Sequence, residues 1–224
     1  LPESLPKEMR GTKKQEPIFP GLFQHVNLRG YFSVLATYFC VIAGFSIMTT
    51  LFALFVWHRF ALDEKHTGYI FALIGFIGVL IQGGLIGRLV KRFGEARLAT
   101  TGALILGLSL FGLPLSAGMG GMILISCALA VGNSLLMPTL SGIASRSVDA
   151  AWQGRALGIM QSIGSLARWM GPLLAGWLLA FDLVRPLKFY AQTPLWVGAA
   201  LLGMAFAISF WLPRKQMLAA EQPR

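Results

Sequence analysis

Six long apolar runs, separated by short polar connections, make up most of the chain. They cover residues 31–57, 67–87, 98–115, 121–143, 156–181 and 192–212, and none contains an acidic residue. Each falls within or above the range of about 17–25 residues that a helix needs to cross a bilayer core. The runs are continuous, whereas barrel strands alternate apolar and polar positions, so helices are predicted. The connections leave no room for a soluble catalytic domain. The expected fold is an all-α membrane protein: a cytoplasmic linker at 1–30, a six-span bundle at 31–212 and a cytoplasmic tail at 213–224.

Of the 224 residues, 55% are hydrophobic and 12% charged, with a mean hydropathy of +0.67. A net charge of +10 would suggest nucleic acid in a soluble chain. Its placement points to topology instead. Residues 1–30, 88–97, 144–155 and 213–224 together hold fourteen Lys and Arg, while the opposite connections hold only Arg59, Lys65, Arg185 and Lys188. The positive-inside rule puts both termini in the cytoplasm, as an even number of spans requires. The lipid bilayer is the first partner, and no nucleic acid is expected. Cys40 and Cys127 lie inside apolar runs and read as packing residues. Residues 1–24 mix Pro, Gly and charge without the apolar core of a signal peptide, so they read as a linker from something longer; a processed N-terminus is the alternative. No nucleophile–base pair, metal-spaced cluster or phosphate-binding loop is present, so no enzyme, cofactor or metal site is expected.

Two stretches are more specific. Between the second and third runs the chain reads Gly87-Arg88-Leu89-Val90-Lys91-Arg92-Phe93-Gly94-Glu95-Ala96-Arg97. Gly87 suits close helix approach, Gly94 suits a turn with positive φ, and the cations suit helix C-termini or acidic groups nearby. Topology alone accounts for the charge but not for the glycine spacing. This stretch resembles the loop signature of the major facilitator superfamily, with Gly87, Arg88, Lys91, Arg92, Gly94 and Arg97 as its gating-loop residues and Lys91 where the signature has Asp. Gly132-Asn133-Ser134-Leu135-Leu136-Met137-Pro138, Gln153-Gly154-Arg155 and Ser165-Leu166-Ala167-Arg168-Trp169-Met170-Gly171-Pro172-Leu173-Leu174-Ala175-Gly176 resemble the later half of its drug-efflux branch. The segment from Gly171 through Pro172 to Gly176 is similar to the branch's antiporter motif, although that motif belongs to the first half.

The resemblance covers about residues 25–213. It implies the C-terminal half of a twelve-helix transporter in a bacterial inner membrane, working against an N-terminal six-helix half. The cargo implied is a small organic solute, exchanged for protons and moved outward. Six spans split at 116–120 also divide into two inverted three-helix repeats, a common transporter plan. An importer of organic anions, and a non-transporting scaffold or half-size remnant, remain competing readings.

Arg168 stands near the middle of the 156–181 run, about 19 Å from either end. Even the mildest insertion scale puts a central Arg at about 2.5–3.5 kcal/mol, so it should meet a cavity or a partner. Gln161, Ser165, Arg168 and Pro172 share one helical face. All nine acidic residues and all three His lie outside the runs. Arg168 is therefore matched by an acid elsewhere, by an anionic solute, or by carbonyls and water. Gln82, Asn133 and Tyr38 complete the candidate cavity set; the amides suit a polar ligand or helix packing equally. Tyr31, Tyr38, Phe45 and Phe52 form an aromatic ladder offering either stacking surface or packing. Trp57, Trp196 and Trp211 read as interfacial anchors. Pro138 and Pro172 each remove a backbone donor and are candidate bending points.

Overall fold

A computed structural model describes residues 28–184, 186 and 189–213. Nearly all of the expected linker and tail lies outside the described residues. Within them the structure is helical. α1 is Leu28–Phe60, beginning three residues before the expected linker boundary. α2 is Glu64–Phe93, with a π turn at Ile81–Leu85. α3 is Glu95–Gly112, prolonged by a 3-10 turn at Leu113–Leu115. α4 is Met119–Arg146, α5 is Gln153–Asp182 and α6 is Gln192–Ser209.

Five of these, all but α5, are long and apolar enough to cross a membrane. α5 has the length, at 30 residues, but Gln153, Arg155, Gln161 and Arg168 dilute its apolarity. On composition alone, the expected count of six therefore falls by one.

Local chemistry fixes where the helices begin. Asp63 caps α2 by accepting from the His66 backbone N–H at 2.9 Å. That bond, followed by the His66 imidazole, holds the Asp63 carboxyl below the usual carboxylate range. Gly94 alone separates α2 from α3, at φ 80°, as its expected role in a tight turn requires. α6 is preceded by Ala191, itself left-handed at φ 58°. Its cap comes from the end of α5, where the buried Asp182 carboxylate accepts from the Thr193 backbone N–H at 2.8 Å and the Thr193 hydroxyl at 2.5 Å. One of the α6 backbone donors left open by helix geometry is thereby met.

Packing follows an exchanged pattern. α1 packs mainly on α5 and α6, α4 packs mainly on α3 and α2, and α3 and α6 pack on each other. Swapping α1 with α4, α2 with α5 and α3 with α6 reproduces this arrangement. The closest crossings obey the same exchange. A Cβ at Gly44 would stand 2.7 Å from the Gly198 carbonyl oxygen, joining α1 to α6. One at Gly132 would stand 2.8 Å from the Leu106 nitrogen, joining α4 to α3. The sequences match as well: Gly44-Phe45-Ser46 against Gly132-Asn133-Ser134, and Gly102-Ala103-Leu104-Ile105-Leu106-Gly107 against Gly198-Ala199-Ala200-Leu201-Leu202-Gly203.

The crossings predict opposite outcomes for one chemical change. Gly132→Ala forces a methyl into backbone and is expected to cost about 1–3 kcal/mol. Gly203→Ala, on α6 with open space beside it, is expected to leave stability unchanged or raise it by up to about 1 kcal/mol. Thermal unfolding of the two variants in detergent checks the contrast.

Candidate functional site

The candidate site is built on α5, which carries three distinct faces. A buried seam of Met160, Gly164, Ala167, Gly171 and Ala175 turns toward α1. An exposed apolar edge carries Leu166, Trp169, Leu173 and Trp177. Between them runs an exposed stripe of Gln161, Ser165, Arg168 and Pro172. The expected shared face of these four residues is present.

Gly164 and Gly171 let α1 approach. The Tyr38 ring lies where a Cβ at Gly164 would be, 2.6 Å from its Cε1, and the Tyr38 hydroxyl reaches Gln161 Oε1 at 3.3 Å. Two of the expected cavity residues are thus joined across α1 and α5. Two turns along, a Cβ at Gly171 would collide with the Ser46 side chain. Ser46 Oγ donates to the Arg168 carbonyl at 3.3 Å. That carbonyl is the one Pro172 cannot serve, because proline at i+4 has no N–H. Gly171 makes room for the hydroxyl and Pro172 leaves it an acceptor.

Both α4 and α5 run unbroken through Pro138 and Pro172. The Arg168 guanidinium is exposed and has no ion pair or hydrogen bond among the described residues. Gln82 is exposed on the π turn of α2 and Asn133 is half-buried on α4; neither makes a side-chain hydrogen bond among the described residues.

Packing decides other expectations. Tyr31 and Phe52 are fully buried, and the Tyr31 hydroxyl donates to the Ala156 carbonyl at 2.6 Å. Much of the aromatic ladder fastens α1 to its neighbours and presents no open stacking surface. Gly75, Gly83, Gly84, Gly87 and Gly176 have nothing within 4 Å of an added Cβ, so the close approach expected at Gly87 is absent from this bundle. The bare side of α2 points away from α4; only Gly78 touches it, near Ser134 Oγ at 3.5 Å. Trp57, Trp196 and Trp211 are exposed near helix ends, as expected of anchors.

At the α2–α3 turn, Arg88, Lys91, Arg92 and Arg97 are exposed, and the Arg92 guanidinium stands 5.3 Å from the Phe93 ring centre. Sequence reasoning overlooked the acid of this turn. Glu95 reaches over Gly142, where a Cβ would collide with its carboxylate, and pairs with Arg146 of α4 at 2.5 Å. An open groove of about 610 Å³ beside the pair is lined by Ile86, Gly87, Val90, Lys91, Gly94 and Arg146. Ser46 was also overlooked, although its Gly-x-Ser setting repeats at Ser134 and could have flagged it.

Residues 21–223 match the family description Major Facilitator Superfamily. The chain belongs to the major facilitator superfamily. It is 30% identical over 175 residues to the tetracycline resistance protein, class D, of Salmonella ordonez, covering 78% of this chain and 43% of that protein. It is 29% identical over 163 residues to multidrug resistance protein 2 of Bacillus subtilis, covering 71% and 40%. Among solved structures, the human organic anion transporter MFSD10 (TETRAN) superposes with a TM-score of 0.70 at 20% identity, over 80% of this chain and 40% of that one. This major facilitator chain therefore spans about two-fifths of the length of the relatives it matches. As a member of the superfamily it is an integral membrane protein.

The Ser46 bond is testable by a double-mutant cycle. Pro172→Ala returns a main-chain donor to the Arg168 carbonyl. Ser46→Ala should then cost about 0.5–1.5 kcal/mol in the wild-type background and close to nothing beside Pro172→Ala. Denaturant unfolding in detergent measures both, and equal losses in the two backgrounds would refute the link.

Proposed function

We propose that the chain is the C-terminal six-helix half of a secondary active transporter. It moves a small organic solute outward across a bacterial inner membrane by rocking against an N-terminal six-helix half. The observation carrying this reading is the superfamily match over residues 21–223, combined with coverage of only about two-fifths of relatives named for tetracycline and multidrug resistance. The exchanged packing of the two triplets supports counting α5 as a sixth span and reading the bundle as two inverted repeats. α5 would cross with its polar stripe toward the solute path and its seam on α1. The Lys and Arg distribution favours cytoplasmic termini, which sets the α2–α3 turn and the Glu95–Arg146 pair on the cytoplasmic side.

In this reading Gln161, Tyr38 and Arg168 border the path, with Gln82 and Asn133 along its flanks. The exposed glycine side of α2 accepts helices of the other half, which explains why it is bare here. Protons are the proposed coupling ion. No acid interrupts the apolar runs, and Asp182 is committed to capping α6, so the titrating group belongs to the other half.

The test uses everted inner-membrane vesicles carrying the full-length protein and a panel of anionic, neutral and cationic amphipathic dyes. At least one dye should accumulate when respiration is energised and leak back when a protonophore is added. Accumulation no greater than in vesicles lacking the protein would overturn the reading.

A further inference from the structure

The polar stripe of α5 carries a donor-only cation, Arg168, and an amide, Gln161, whose oxygen already accepts a hydrogen bond. Gln161 is exposed and its Oε1 accepts from the Tyr38 hydroxyl at 3.3 Å, so its amide NH₂ remains available to donate. Ser165 spends its hydroxyl proton on the Gln161 carbonyl at 3.0 Å, so Gln161 and Arg168 are the donors of this face. Arg168 contributes five N–H donors and no acceptor. Arg168 and Gln161 stand two turns apart on one face, about 10 Å along the helix.

Nothing among the described residues neutralises the guanidinium. Asp182, the acid of the same helix, is buried against Thr193 at the far end. The main chain that carries this cation is tied to α1, because Ser46 donates to the Arg168 carbonyl that Pro172 cannot serve. Beside it the exposed edge carries Trp169, Leu173 and Trp177. A cation without a counter-charge among the described residues, a second donor about 10 Å away and an aromatic flank together describe a complementary ligand.

We propose that Arg168 binds the anionic group of the transported solute, so that the solute is an amphipathic organic anion: a carboxylate or sulfonate joined to an aromatic body. Gln161 donates to a polar group at the other end of that body. This rests on the transporter reading above and narrows its cargo. The competing source of negative charge is a fixed carboxylate in the N-terminal half.

The experiment uses the full-length protein in two arms. In proteoliposomes, flux of carboxyfluorescein and of ethidium is measured for wild type, Arg168→Lys and Arg168→Gln. In detergent, thermal stabilisation by 2-naphthoate and by uncharged 2-naphthamide is compared for the same proteins. Expected are carboxyfluorescein flux that falls about tenfold or more in Arg168→Gln and less in Arg168→Lys, and a melting-temperature rise with naphthoate alone that Arg168→Gln abolishes. Naphthoate and naphthamide acting equally on wild type would overturn the proposal, as would unchanged anion flux in Arg168→Gln. So would a lowered melting temperature in Arg168→Gln without ligand together with equal loss of both dyes, since that is the signature of a fixed carboxylate. If neither dye moves in wild type the transport reading is what fails, and the naphthoate arm still decides whether Arg168 binds anions.

Discussion

Backbone contact at glycine is the constraint on which this bundle depends. Lipid tails are as apolar as leucine side chains, so helices in a membrane gain little by hiding apolar surface from one another. They associate by fitting closely, and here the fit occurs where a side chain is missing. Gly44 meets Gly198, and Gly132 meets the chain of α3 between Gly102 and Leu106, at separations that a methyl group would violate. These crossings set the spacing of α1 with α6 and of α4 with α3. The remaining helices are then placed by what that pair of pairs leaves exposed.

What it leaves exposed is used twice in the same way. α2 lies on α4 with Gly78 near Ser134, and α5 lies on α1 with Gly171 against Ser46. A serine two residues beyond the crossing glycine thus receives the middle helix of the other triplet in both cases. The copies differ in what they carry at the exposed level. α2 offers a π turn and a run of bare glycines, whereas α5 offers Gln161 and Arg168. Similar scaffolding has been given unlike surfaces, one suited to receiving other helices and one to polar chemistry.

The helices were legible because their signal is compositional: long apolar runs between charged turns. Gly94 was legible because a single glycine between two such runs has few other uses, and the shared face of Gln161 and Arg168 follows from helical spacing alone. The pairing of α5 with α1 was not readable, since it joins Tyr38 to Gln161 across 123 positions, and only three-dimensional packing selects that partner. Glu95 with Arg146, 51 positions apart, escaped for the same reason. The expectation that Gly87 marks close packing failed within this chain, because glycine reports that a surface is bare and not what covers it. The internal repeat was visible in principle in the Gly-x-Ser pair, but so short a match gains weight only once both copies are seen to do the same work.

The Ser46–Arg168 bond changes the mechanics of α5. In an ordinary helix the resistance to bending comes from main-chain bonds running along its own axis. At Pro172 one of these is absent, and its carbonyl is held sideways by a neighbouring helix. The local stiffness of α5 therefore resides between two helices, at right angles to the usual direction. Bowing of α5 at this level lengthens a contact with α1 as well as the bonds of its own turn, so the curvature of one helix is coupled to the position of the other.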